Sequence, residues 1–261
     1  MVDCEFSEFS YGYAVVREAE STLARVYRSA GAPVLPSLVQ EEALGWDAHL
    51  RYAEYALFLQ FKRTEYVSRR NPASPSWPLF GMPHFRFSID TDGHQHQALI
   101  DLEQRLSARD QIGEVFYASP RFHTQDEFDD AYSAGAILDR SLIVAPSEFG
   151  VGSGRHHYAT GPFGQSFVLS EPRQPERPDS WEGLIAGVRE RASTAQTRQR
   201  RVSLAELEED LAVVVDTYQP RRMRDRDAPA TRRLDRLAMN LGCGLILLTY
   251  DESADEPEAR L

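Results

Sequence analysis

Three residues in one stretch have the types and the spacing to do chemistry together: Asp47, Gln60 and Lys62. They lie in "GWDAHLRYAEYALFLQFKRTEYV", residues 45–67, and Lys62 is the only lysine among 29 basic residues. On a strand, alternate side chains share a face, so Gln60 and Lys62 point the same way. A hairpin between "WDAHLRY" and "YALFLQFK" brings Asp47 to that face. It gathers a carboxylate, an amide oxygen and an ammonium at one end of two paired strands. Hard divalent ions such as Mg²⁺ or Mn²⁺ take oxygen ligands of this kind and keep several waters. Asp47 and Gln60 supply two, and Glu18 or Glu20 on an upstream helix completes the set. A bound ion there acidifies water and neutralises charge building on a scissile phosphate. Lys62 orients the attacking water or stabilises that charge. An ammonium is a compact point charge and a guanidinium a wide planar fork, which would keep lysine here in a chain that otherwise uses arginine. The plain alternatives are a lysine left over by composition, a turn aspartate after Gly45, and two glutamates on a solvated helix face.

An aspartate, a hairpin's length of chain, then an amide, any residue and a lysine resembles the PD-(D/E)xK nuclease superfamily. "GWD" at 45–47 and "FLQFK" at 58–62 stand where its QxK members, the Mrr-type and anti-phage defence nucleases, carry their motif. The likeness spans residues 10–122, with a glutamate-bearing helix before the strands and a helix after them. It implies an α/β, restriction-endonuclease-like mixed central sheet flanked by helices. It also implies metal-dependent hydrolysis of phosphodiester bonds in nucleic acid, DNA above all, in a defence setting. Mg²⁺ or Mn²⁺ would be the cofactor, Asp47 and Gln60 its ligands and Lys62 the catalytic lysine. The helix glutamate maps to Glu18 or Glu20. A glutamine where the family more often has a carboxylate removes one negative charge, and such folds include inactive members. The competing function is therefore a catalytically inactive nuclease-fold protein that serves as a binding or regulatory module, or as an acidic partner of another protein.

The elements that must position these residues follow from periodicity and punctuation. Residues 11–31 read as a helix stopped by Gly31. Residues 32–45 read as an irregular strand broken by Pro33 and Pro36. "WDAHLRY" and "YALFLQFKRTEYV" are strands, and the proline-rich run 68–83 is a loop leading into "HFRFSI". A helix follows over 94–108, then a strand over 113–122 ended by Pro120. Thr124 with Glu127 three residues on is a capping box opening the next helix. "RSLIVAPSEFG" is a strand, and Gly161–Gly164 turns a hairpin. Helices over 180–193, 203–218 and 230–240 precede a last strand in "GCGLILLTYD". The expected organisation is a core over 1–150, a hairpin with helices and a final strand over 151–250 that packs on it, and a disordered acidic tail over 251–261.

The net charge is −11, with 40 acidic residues, which argues against a protein that coats DNA through bulk charge. A nuclease needs only a local basic rim. Arg63, Arg69, Arg70 and His94 are the candidates for nucleic-acid contact, and one of His94, His96 or Gln97 is expected to face the site from the helix after it. There is no HExxH, no Walker loop and no nucleophile elbow. "GVGSG" at 150–154 reads as a hinge. Two cysteines are too few for a disulfide framework or a zinc cluster. No apolar run reaches membrane-spanning length and the start lacks a signal pattern, so the expectation is a cytoplasmic protein with no membrane partner. A protein partner or a second copy of the chain remains compatible with that reading.

Overall fold

The computed structural model describes residues 2–24, 27–29, 32–35, 52–70, 76–108, 113–152, 154–161, 164–169, 172–176, 180–193, 202–218 and 230–250. The fold is mixed α/β, built on two five-stranded sheets. The central sheet runs β2 (Tyr27–Ser29), β12 (Gly244–Tyr250), β4 (Tyr55–Phe61), β7 (Gly113–Pro120), β8 (Ser141–Val144). Its β4–β7 pair is parallel and its other pairs are antiparallel. The second sheet is antiparallel throughout, in the order β1 (Val2–Asp3), β5 (Glu65–Val67), β6 (His84–Asp90), β9 (Arg155–Thr160), β10 (Ser166–Val168). A small ribbon joins β3 (Tyr52–Ala53) to β11 (Val202–Ser203).

Every residue of β4 is buried, as expected of a strand covered on both faces. Alternation sends Tyr55, Leu57, Leu59 and Phe61 into one core with helices α1 (Glu8–Leu23), α4 (Gln125–Ala134) and α5 (Trp181–Ser193). Ala56 and Phe58 enter the other with α3 (His94–Ala108), α6 (Leu204–Tyr218) and α7 (Ala230–Asn240). The central sheet is thus the middle of three layers. Phe87, Ile89, Tyr158 and Val168 of the second sheet join the α3 side.

Thr124 caps α4 through the expected reciprocal box with Glu127, and the α3, β7, α5 and α6 segments fall where periodicity places them. The hairpin about Gly161–Gly164 forms between β9 and β10. Four expectations are corrected. The first helix runs over 8–23 rather than 11–31, because Ser7 accepts the Ser10 N–H and starts it early, and Tyr27–Ser29 pairs with β12 instead. The 55–67 stretch is two strands in two sheets, broken at Lys62–Thr64. A short helix, α2 (Trp77–Phe80), occupies part of the proline-rich loop. The fourth concerns the hairpin. Both edges of β4 are filled, by β12 over 55–59 and by β7 over 56–61, and Tyr52–Ala53, the end of the Asp47 segment, pairs with β11. The final strand thus lies inside the central sheet, and strands from both sides of residue 150 share both sheets. Of the irregular strand expected over 32–45, residues 32–35 are described, with Val34 bridging to Leu245. Residues 36–51 and the tail 251–261 lie outside the described residues.

Close approach of α1 to β4 fixes one glycine. A Cβ on Gly12 would stand 2.8 Å from the buried Phe61 ring. Gly12→Ala raises helix propensity by up to about 1 kcal/mol, but overpacking costs about 1–3 kcal/mol. The expected net result is a lower urea midpoint; a midpoint at or above wild type would show that the ring moves aside freely.

Candidate functional site

Lys62 stands where the parallel pair β4–β7 runs out. Its N–H donates to Ala118 O at 2.9 Å, one rung past the last residue of β4. Ligands of open α/β sheets bind outside the carboxyl ends of parallel strands, and Lys62 is at such an end. Its side chain takes the same face as Gln60, Phe58 and Ala56, towards α3 and α7. It is half-buried, with Nζ 5.8 Å from the centroid of the Tyr117 ring, within cation–π range. No hydrogen bond or ion pair reaches Nζ among the described residues. Burial pushes the Lys62 amine below its ordinary value, an effect that the Glu8 carboxylate partly offsets.

The floor under Lys62 is held by a chain of hydrogen bonds. Tyr117 Oη lies 2.9 Å from His96 Nδ1, and His96 Nε2 lies 2.6 Å from Gly150 O. A carbonyl only accepts, so Nε2 carries the proton and Nδ1 accepts from the tyrosine hydroxyl. Burial raises the Tyr117 hydroxyl pKa, which suits it to donate, and lowers that of His96.

Gln60 is buried beside Gln95, the second residue of α3. Gln95 Nε2 donates to Gln60 Oε1 at 2.8 Å and to Leu241 O at 2.9 Å. The bond to a backbone carbonyl fixes which end of Gln95 is nitrogen, and that in turn fixes oxygen as the facing atom of Gln60. The oxygen is turned inward, onto the turn between α7 and β12. Gly242 sits there at φ 71°, and a Cβ on it would lie 3.3 Å from Gln60 Oε1 and 2.5 Å from Gln95 Nε2.

The described members of the rest of the expected set are engaged elsewhere or lie apart. Asp47 lies outside the described residues. Glu18 is taken: its carboxylate accepts the N–H of Ile137 at 2.9 Å and of Leu138 at 3.3 Å. Glu20 is farther along the same helix. Glu8 is the α1 carboxylate at the lysine, accepting the Arg63 N–H at 3.2 Å. Ten residues of helix separate it from Glu18, about 15 Å along the axis. A helix begun at residue 11 omits Glu8, and "FSEFS", with Ser7 as cap, is the sequence signal for the earlier start. Arg63 is exposed next to the site, whereas exposed Arg69 and Arg70 lie past β5. His94 is exposed at the start of α3 and Gln97 braces Asp92 O; of the expected three, His96 reaches the floor under Lys62 through Tyr117, and Gln95, not among them, bonds Gln60.

Among the described residues no group of three or more His, Cys, Asp or Glu side chains could hold a metal ion. With Glu18 engaged and the Gln60 oxygen turned inward, those residues do not make a site for Mg²⁺ or Mn²⁺. What they do make is a desolvated lysine on an aromatic floor beside a buried amide. No described helix is long and apolar enough to cross a membrane. Compared with protein-family models, curated proteins and solved structures, the chain matches none.

His84, His96 and His157 all have imidazoles pushed below the ordinary 6.5 by burial. The unfolded chain therefore takes up protons first on acidification. Stability is expected to be full above about pH 6.5 and to fall below it. Urea midpoints from about pH 7.5 to 5.5 measure this; a midpoint that rises on acidification would reverse the sign.

Proposed function

We propose that the chain is a nuclease that hydrolyses phosphodiester bonds in nucleic acid, DNA first, with Lys62 at its centre. One observation carries the reading. The chain's single lysine is half-buried at the carboxyl end of the parallel pair, with no anionic partner within bonding distance among the described residues. Burying a charge unpaired is unfavourable, so such a group does not serve stability; it suits a ligand that brings the negative charge. As an ammonium, Lys62 holds charge building on a phosphate oxygen. As a neutral amine, made more accessible by its lowered pKa, it takes a proton from attacking water.

The restriction-endonuclease-like part of the reading draws on the mixed central sheet, on α1 before it, and on Gln60 and Lys62 at the end of β4 with α3 between β4 and its parallel partner β7. The Mg²⁺ or Mn²⁺ that the resemblance implies would depend on Asp47, since Glu18 and the Gln60 oxygen are engaged elsewhere. Those same engagements favour a second reading, a nuclease fold that binds nucleic acid without cutting it.

The test is cleavage of plasmid and of single-stranded oligonucleotide at low salt with Mg²⁺ or Mn²⁺. Wild type is expected to cut. Lys62→Ala and Lys62→Arg are expected to lose about 10²–10³ in rate, the scale of one lost charge-stabilising group, and Asp47→Ala a comparable amount. Cutting that survives Lys62→Ala rejects the site. Binding without cutting selects the second reading.

A further inference from the structure

We infer that Gln60 serves this site as a hydrogen-bond donor to an anionic oxygen, and that Gln60 Nε2 and Lys62 Nζ form a two-donor cradle for a phosphate group. The inference rests on the reading of this strand end as a phosphate-processing site. It follows from an orientation that can be assigned without ambiguity. Leu241 O is an acceptor and nothing else, so the Gln95 atom 2.9 Å from it is nitrogen. The same nitrogen lies 2.8 Å from Gln60, so Gln60 presents its oxygen there and its NH₂ group elsewhere. The inward side is closed, because Gly242 leaves no room for more than the two amides. One Nε2 hydrogen meets Phe61 O at 3.3 Å, a long bond. The other hydrogen has no partner among the described residues, although the residue is only 6% exposed. Gln60 is on β4 and Lys62 one residue past its end, two apart along the chain, a spacing that turns both side chains to the side of the sheet where Tyr117 packs. Two buried or half-buried donors, one a charged ammonium without a bonding partner among the described residues and one an amide held only by a long bond, match the acceptor-rich edge of a phosphate. A glutamate at position 60 would accept from Gln95 just as the glutamine does, but would set a carboxylate oxygen where the NH₂ group stands.

The probe is inorganic phosphate, followed by a single-stranded phosphorothioate oligonucleotide, both titrated in EDTA against the full chain with the Gln60 side-chain amide observed by NMR. A saturable shift of that amide is expected with both. Gln60→Glu is expected to weaken binding at least about tenfold, the loss of a hydrogen bond to a charged group, and Lys62→Gln to weaken it similarly at a half-exposed position that folding tolerates. An unmoved Gln60 amide overturns the inference, as does a Gln60→Glu chain that binds as well as wild type. Cleavage assays on the same samples keep the two ideas apart. Phosphate bound at Gln60 without any cutting leaves the donor pair standing and removes the nuclease. Faster cutting by Gln60→Glu removes the donor pair and leaves the nuclease.

Discussion

Pairing along both edges of β4, with both of its faces buried, is the constraint on which the rest depends. A strand in that position has no free backbone group along 56–59 and no face for a charged side chain. Its seven residues are accordingly apolar except at Gln60, whose oxygen is bonded by Gln95. The first place where a charge can stand next to solvent is the residue after the strand, and that residue is Lys62. The helices are divided by the same alternation, α1, α4 and α5 on one side and α3, α6 and α7 on the other. The site is therefore a boundary effect. It forms where two parallel strands end together and the covering helix α3 begins.

What could be read from the sequence was whatever local chemistry decides. Thr124 and Glu127 announce a helix start within four residues, because each satisfies a backbone N–H of the other. The apolar run ending at Lys62 announces a buried strand and its exposed end. The face shared by Gln60 and Lys62 follows from a period of two. The pairing of β4 could not be read that way. Its partner on one edge, β12, is 185 residues away, and nothing near residue 60 distinguishes it from a nearby hairpin strand. That the Gln60 oxygen accepts from Gln95 could not be read from the sequence for a related reason. Which end of an amide faces inward depends on Leu241 O and Gly242, at the turn that precedes that same distant strand. Glu18 looked like Glu8 to any composition argument. Only the packing of α1 against the 137–138 turn tells them apart.

The electrostatics are local against a contrary background. The chain carries −11 overall, so an approaching nucleic acid gains nothing from the far field. For the proposed nucleic-acid substrate, attraction would have to arise within a few ångströms, from Lys62, exposed Arg63 and the Gln60 amide. Tyr117 stiffens that arrangement: its hydroxyl is tied through His96 to Gly150 O, so the ring under Lys62 is held from the far side of α3. On the proposed reading, a site with so little long-range pull would discriminate by fit at short range, through the donors of Lys62 and Gln60.

The insertion of β12 between β2 and β4 also has a meaning in time. Leu59 and Gly244 face each other across 185 residues of chain. During synthesis at about 5–20 residues per second, roughly ten to forty seconds separate them. For that interval a strand whose residues are all buried in the finished fold has an open edge, the geometry that recruits foreign strands. The ribosome thus delivers the centre of the sheet first and its closing piece late. A cell making this protein has to keep the β4 edge occupied or shielded until residues 244–248 arrive, and the half-made chain is a natural client for whatever caps exposed strands in the meantime.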